Sequence, residues 1–324
     1  MTPYAIAART PGDPSVLHEI PLTVTDPGEG EVLLRHTAIG LNYLDTYYRG
    51  GLYPWPNPND LVLGSEAAGI VEALGPGVTD LKLGQRVAYT VPNGGYVSHR
   101  VIATKHLVPL PDAISDEVAA AVMLKGLTAR YLLKDSFKVA PGQHVLFHAA
   151  AGGVGLIAGQ WLKWLDVDAI GTAGGAEKCA LARENGYSSV IDYRSEDFVA
   201  EVLKRVPDGV DVVYDSVGQD TISKSLKCLK RFGTLVYFGQ SSGPPLDFKL
   251  SDLAAGSFYA TRPTIFHFVT RRDWLLQASA ELFEGITSGH LKIAINQRFN
   301  LRDASSAHRA LEGRGTTGST VLIP

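Results

Sequence analysis

The chain predicts an α/β protein of two domains, one β-rich and one a doubly wound parallel sheet. Three observations carry this. Short strands broken by turn residues fill the first ~120 residues. Five continuously apolar strands then alternate with helix-like segments, the pattern of a parallel sheet covered on both faces. The tail finally returns to strand-like texture. At 324 residues there is chain enough for two hydrophobic cores.

Taken in order, "EVLLRHTAIGLN" (Glu31 to Asn42) alternates and then turns apolar. "EAAGIVEAL" (Glu66 to Leu74) is closed by "GPG", and "GQRVAYT" (Gly84 to Thr90) follows. Strands at this spacing suggest a small barrel or sandwich. "YPWPNPND" (Tyr53 to Asp60) holds three prolines and must be a surface loop. "SDEVAAAVMLKGLTARYLL" opens on a serine cap with acidic residues in the first turn, then runs apolar at helical spacing. The strands "HVLFHA", "DAIGTA", "SVIDYR", "VDVVYDSV" and "TLVYFG" are separated by helix-like segments near 154–165, 176–186, 196–205 and 219–229. Beyond Pro263 come a helical "RDWLLQASAELFEGITSG", a strand-like "KIAINQRFN" and a terminal "GSTVLIP". The tail is expected to complete the N-terminal β domain, making the αβ unit an insertion in it.

Composition narrows the function classes. A formal net charge of -3 with 45% hydrophobic and 19% charged residues is ordinary globular balance, without a basic footprint for nucleic acid. Cys179 and Cys228 are the only cysteines. They form no disulfide framework and match no zinc-ribbon spacing, so a reducing compartment is expected. No signal core and no stretch of ~18 apolar residues is present, which makes the cytosol the expected location.

The chemistry is signalled by "HAAAGGVG", where an apolar strand hands over to an amphipathic helix. Ala150 to Gly155 reads as G-x-G-x-x-G with alanine in the first place. Gly152 lets backbone approach a pyrophosphate, with Gly153 and Val154 beside it at the helix start. Gly155 allows close helix–strand packing, and the helix N-terminus offers free N–H groups. A glycine turn alone is a weak signal, but this one follows a buried strand and opens the alternation. An acidic residue about 20 positions on would indicate NAD. Counting from Gly152 reaches Thr172 in "GTAGGAEK", a small neutral strand end with Gly174 and Gly175. Lys178 within the next turn supplies positive charge for a 2′-phosphate, and Tyr193 ends the following strand. Glu177 is the dissenting residue. NADPH is the expected cofactor. His148 has no second histidine or cysteine at ligand spacing and reads as a core residue.

These residues resemble the medium-chain dehydrogenase/reductase superfamily, and within it the zinc-independent NADPH:quinone oxidoreductases related to zeta-crystallin. "GLNYLDTYYRGGLYP", "LGSEAAGIVEALGPGV", "LKGLTARYLL", "HAAAGGVGLIAGQW", "YDSVG", "FGQSSG" and "GSTVLIP" carry the likeness across essentially the whole chain. It implies a GroES-like catalytic domain over 1–125 and 263–324, a Rossmann domain over 126–262, and a homodimer through the sheet edge near "GSFYATRP". It places Asn42, Asp45 and Thr46 beside the nicotinamide and ribose, although Asp45 would alternatively stabilise its loop. Thr128, Tyr131, Ser216, Phe238, Gly239, Ser241, Arg262 and Arg314 become further cofactor contacts. Arg130 departs from the aromatic residue of bacterial relatives.

The alcohol dehydrogenases of that superfamily hold zinc through an early cysteine and a Gly-His-Glu histidine. This chain has Asn42 in the corresponding early region and Ser65 at the second, so no metal site is expected. Acceptors that take reducing equivalents without a Lewis acid then fit, quinones first. Tyr47 and Tyr53 would line the acceptor pocket, stacking on a quinone and bonding its oxygen, and Asn42 would donate to a developing oxyanion. The alternatives are an enone or alkenal double-bond reductase, with Tyr47 or Tyr53 as proton donor, and an NADPH-binding RNA-binding or structural protein.

Overall fold

The computed structural model describes every residue except 1, 57–59 and 314. Arg314, one of the cofactor residues expected above, lies outside the described residues.

In chain order the elements are β1 (Tyr4–Ala8), β2 (Leu17–Pro21), β3 (Glu31–Leu41), α1 (Tyr43–Arg49), β4 (Leu61–Val62), β5 (Glu66–Leu74), β6 (Arg86–Thr90), β7 (His99–Ala103), β8 (Val108–Pro109) and α2 (Asp116–Tyr131). The alternating part runs β9 (His144–Phe147), α3 (Gly153–Trp164), β10 (Asp168–Ala173), α4 (Ala176–Glu184), β11 (Ser189–Asp192), α5 (Phe198–Arg205), β12 (Val210–Asp215), α6 (Ile222–Ser225), β13 (Leu229–Tyr237) and β14 (Tyr259–Thr261). The tail holds α7 (Ile265–Val269), α8 (Arg272–Thr287), β15 (Ile295–Asn300), α9 (Ala304–Glu312) and β16 (Ser319–Ile323).

Two compact units result. The first comprises Met1–Leu124, Phe268–Thr287 and Ile293–Pro324. Its seven-stranded sheet has the path β15-β16-β3-β5-β6-β8, with β7 also on β3, and a three-stranded sheet runs β2-β1-β4. The tail strand β16 pairs antiparallel with β3, Leu322 opposite Ile39. The alternation of β3 sends Val32 and Leu34 into the core, where they meet Val71, Val87 and Tyr89. Each such side chain contributes about 2 kcal/mol by leaving water. Ser115 starts α2 as expected, its hydroxyl accepting the Val118 N–H at 3.2 Å.

The second unit comprises Lys125–His267 and Ser288–Lys292. Its sheet is parallel throughout, in the order β11-β10-β9-β12-β13-β14. Renumbered from its own first strand this is 3-2-1-4-5-6, the doubly wound Rossmann order. Successive strands step one way from β9 to β11 and the other way from β12 to β14, so the winding reverses between β9 and β12, and ligands of such sheets bind at the carboxyl ends of the strands at that point.

The sequence pattern shows five strands where the sheet has six. β14 is three residues long and all of them are exposed, so no burial pattern marks it. The helix expected over 219–229 is shorter, since α6 ends at Ser225 and a tight turn carries Leu226–Cys228 into β13. His148 stands one residue beyond β9 rather than within it.

Candidate active site

In the second unit the glycine turn begins at Ala149, which takes a positive φ of 54°, and its carbonyl accepts the Gly152 N–H at 2.9 Å. Gly152 is the N-cap of α3 and no side chain caps that helix. The amides of Gly153, Val154 and Gly155 therefore keep no side-chain acceptor, which suits an anion. An ideal Cβ at Gly155 would stand 2.4 Å from the Ala149 oxygen and 2.7 Å from the Ala150 oxygen, so helix and strand come closer here than any other residue permits. Tyr187 seals the far side, its hydroxyl donating to the Gly155 carbonyl at 2.7 Å. This cradle fits a diphosphate.

The end of β10 carries Gly174 and Gly175. A Cβ at Gly174 would meet the Tyr193 hydroxyl at 2.6 Å and the Arg194 Nε at 3.0 Å. Asp192 organises the spot: its Oδ1 accepts the N–H of Gly175 at 2.9 Å and of Arg194 at 3.1 Å. Those amides, the Gly175 one above all, hold its carboxyl below the usual carboxylate range. Lys178 lies in the first turn of α4, Glu177 is exposed and Tyr193 is about half exposed. Arg194 carries no mark in the sequence pattern. It follows Tyr193 directly, and only the parallel register of β10 with β11, Ala173 opposite Asp192, brings its guanidinium to the glycines.

Ser216, Phe238, Gly239, Ser241 and Arg262 follow the ends of β12, β13 and β14. Asp215 is fully buried. Its Oδ1 accepts the N–H groups of Val217 and Gly218 and the Thr221 hydroxyl, at 2.8, 3.1 and 2.9 Å, while its Oδ2 accepts the Ser225 hydroxyl at 2.8 Å. That shapes the loop carrying Ser216, whose carbonyl accepts the Ser241 N–H at 3.1 Å. Phe238 packs on Phe147 with ring centres 5.7 Å apart, and Gly239 follows it. Arg262 donates to the Gln240 Oε1 at 3.0 Å and covers the Tyr237 ring. His148 is buried, with Thr172 at 2.9 Å and Ser225 at 3.0 Å on its two ring nitrogens. Burial lowers its pKa, and it is a satisfied core residue. Thr128 and Tyr131 are both buried on α2.

In the first unit the site is the start of α1. Asn42 is its N-cap, and the Asn42 N–H is accepted by the Asp45 Oδ2 at 2.9 Å. Asp45 is fully buried and also accepts the hydroxyls of Ser65 and Tyr96 at 3.2 and 3.1 Å. Its carboxylate is turned inward and supports the helix start. The Asn42 side-chain amide donates to Glu66 Oε1 at 2.9 Å, and Glu66 Oε2 accepts the Leu124 N–H at 2.6 Å. The Thr46 hydroxyl donates to the Tyr43 carbonyl. Tyr47 and Tyr53 meet edge to face with ring centres 5.4 Å apart, and the Tyr53 N–H donates to the Tyr47 carbonyl at 3.1 Å. Among the described residues no three His, Cys, Asp or Glu side chains converge on a position that could hold a metal ion.

Known proteins match this arrangement. The family model for the alcohol dehydrogenase GroES-like domain matches residues 28–112, and that for the zinc-binding dehydrogenase domain matches residues 185–322. A quinone oxidoreductase of Pseudomonas aeruginosa is 50% identical over 318 residues, and quinone oxidoreductase 1 of Escherichia coli is 49% identical over 321, each match covering 97% of both chains. A crystal structure of Escherichia coli quinone oxidoreductase complexed with NADPH superposes with a TM-score of 0.96 at 46% identity, covering 99% of this chain and 100% of that one. The chain belongs to the zinc-independent quinone oxidoreductase family of the medium-chain dehydrogenase/reductases.

Proposed function

We infer that the protein reduces quinones with NADPH. The observation that carries this is the row of strand ends in the second unit, where a cradle closed to any Cβ at Gly155 lies on the same edge as Gly174, with Arg194 against that glycine and Lys178 in the first turn of the helix that follows it. A diphosphate suits the first and a ribose 2′-phosphate the second. Both of the relatives named above bear the name quinone oxidoreductase, which supplies the acceptor class.

When bound, NADPH supplies the reducing equivalents from its nicotinamide. The residues of the chain do the rest. Gly152, Gly153 and Val154 hold the diphosphate through backbone N–H groups. Gly174, Gly175, Lys178, Arg194 and Tyr193 hold the adenosine end. Ser216, Phe238, Gly239, Ser241 and Arg262 shape the pocket on the β12–β14 side, with Thr128 and Tyr131 on α2. Tyr47 and Tyr53 form an angled aromatic wall for the acceptor ring, and a phenol hydroxyl donates to the quinone oxygen as charge builds on it. The amide of Asn42 is already oriented by Glu66, Asp45 holds the Asn42 backbone, and the Tyr43 carbonyl holds the Thr46 hydroxyl.

Steady-state oxidation of NADPH is the test, with benzoquinone, phenanthrenequinone and an unsaturated aldehyde offered separately. Turnover on the quinones is expected. Turnover confined to the aldehyde would make the chain a double-bond reductase instead.

The partner expected in solution is a second copy of the chain. β14 is the last strand of its sheet, and Tyr259 on it is 63% exposed, with Phe232 at 66% and Leu246 and Leu250 at 81% in the same unit. An open strand edge, in a unit that leaves large apolar side chains in water, invites pairing. Light scattering should give twice the chain mass, reduced to one by Leu246→Asp with Tyr259→Asp. The location expected is the cytosol, in keeping with two buried free thiols, Cys179 and Cys228.

A further inference from the structure

We propose that a cleft in the first unit, lined by none of the residues assigned above to coenzyme or acceptor, binds a small aromatic carboxylate. The cleft has a volume of about 400 Å³, within the usual range for small-molecule sites. Its walls are apolar: Tyr48 on α1, Pro54 and Pro56 on the loop after it, and Ile102 on β7. At its polar end stand Arg100 and His106.

The walls are built in advance. The Trp55 indole N–H donates to the Tyr48 carbonyl at 2.7 Å, pinning the loop to the helix between two prolines whose φ angles are already fixed. Arg100 and Ile102 are two positions apart on β7 and so face the same side. A flat apolar body placed there loses little conformational freedom on either side.

The polar end carries charge without an answering carboxylate. Arg100 donates to the Tyr89 hydroxyl at 3.1 Å and the Asn93 carbonyl at 3.0 Å, both neutral, and no acidic side chain among the described residues pairs with it. A guanidinium has five N–H donors, so these two bonds orient the group and leave others for a ligand. Arg272 donates to the carbonyls of Lys105 and Leu107, at 3.1 and 2.6 Å, and so clamps the turn that presents His106. Burial first, and then the positive charges of Lys105, Arg100 and Arg272, lower the His106 pKa. Asp80 is the acidic group felt by Arg272. One carboxylate bridging Arg100 and His106 answers this field, and four apolar walls select an aromatic body over a bare phosphate.

Titration calorimetry of the full chain with sodium benzoate tests the proposal, with acetate and benzyl alcohol as controls for body and charge. Benzoate should bind, and each control should bind at least about tenfold more weakly, as expected for loss of one charge-assisted contact or of the ring. Arg100→Gln should weaken benzoate by about tenfold or more while quinone turnover is retained. Affinity should rise as pH falls from about 8 to about 6, because the bound anion favours protonated His106, and His106→Gln should abolish that rise. The histidine variant provides the decisive measurement should Arg100→Gln fail to fold. No benzoate binding, unchanged binding in both variants, or competition between benzoate and quinone would each overturn the proposal. Quinone turnover without benzoate reads out the function proposed earlier separately.

Discussion

The Nε2 nitrogen of His308 stands 3.0 Å from the hydroxyl oxygen of Tyr96, and the direction of that bond is fixed by its neighbours. Arg49 lies 2.9 Å from the other ring nitrogen and can only donate, so Nδ1 accepts and Nε2 carries the hydrogen. Tyr96 then accepts from His308 and donates onward to Asp45. At the other end Arg49 forms a two-pronged ion pair with Glu312, at 2.9 and 2.7 Å. A single polarised chain of bonds thus ties α9 to both the first and last turns of α1, the helix that carries Tyr47.

That chain requires a neutral imidazole, and acidification should undo it. Burial, reinforced by Arg49, lowers the His308 pKa from 6.5 to about 3. Burial does the same to His36, also to about 3. Between those limits the unfolded chain takes up protons that the folded chain refuses. Stability is therefore complete above pH 6.5 and falls as pH drops toward about 3, by up to about 1.4 kcal/mol per pH unit for each histidine. Urea unfolding across this range should show the decline. His308→Gln preserves one acceptor and one donor and should make it shallower.

Glu66→Gln should separate the support of Asn42 from the fold itself. The Leu124 N–H can only donate, so the new side-chain oxygen must stay there and the new amide turns toward Asn42. Asn42 meets it by flipping its own amide, which moves its N–H donors away from their present place. We expect a stability loss of about 1 kcal/mol and a fall of about tenfold in kcat with quinone. Urea midpoints and initial rates give the two values, and a large stability loss with normal kcat would assign Glu66 to the fold alone.

Some of this was legible in the sequence and some was not, for physical reasons. Gly155 could be read because close packing is the main reason for a glycine to stand between a buried strand and an amphipathic helix. Tyr47 and Tyr53 were recognisable as a pair through the family resemblance, and the structure brings their rings together. Arg194 escaped because a charged residue after a strand looks like any solvated surface group until strand register places it against Gly174. The Arg49–His308–Tyr96–Asp45 chain escaped for a related reason: its members lie up to 263 positions from one another, and a buried arginine on a short helix has the same sequence texture as an exposed one. β14 has no apolar residue hidden from water within the chain, so periodicity could not find it.

Gly155→Ala should damage coenzyme binding more than folding. The added methyl would meet two backbone carbonyls, which cannot swing aside as a side-chain end can. Helix α3 must shift outward, and the N–H groups of its first turn shift with it. A destabilisation of about 1–3 kcal/mol is expected from the overpacking, together with a loss of at least about tenfold in NADPH affinity. Fluorescence titration and thermal unfolding measure the two effects, and unchanged affinity would mean that the turn does not hold the diphosphate.

Lys178 and Arg194 should distinguish the two pyridine coenzymes. Both cations belong to the end of the site next to Gly174 and Gly175, and NADPH differs from NADH there by one phosphate. Pairing of a phosphate with a guanidinium or ammonium contributes about 1.5–3 kcal/mol when the bond is charge-assisted. Lys178→Ala and Arg194→Ala should therefore each weaken NADPH by about tenfold or more, while NADH affinity changes by no more than about twofold. Raising the salt concentration should weaken NADPH in the native protein more than in either variant, since part of the attraction is screened. Calorimetric titration of both coenzymes against the native chain and each variant measures this. Equal losses for NADPH and NADH would move both residues away from the 2′-phosphate and leave the neutral strand end at Thr172 as the only feature favouring NADPH.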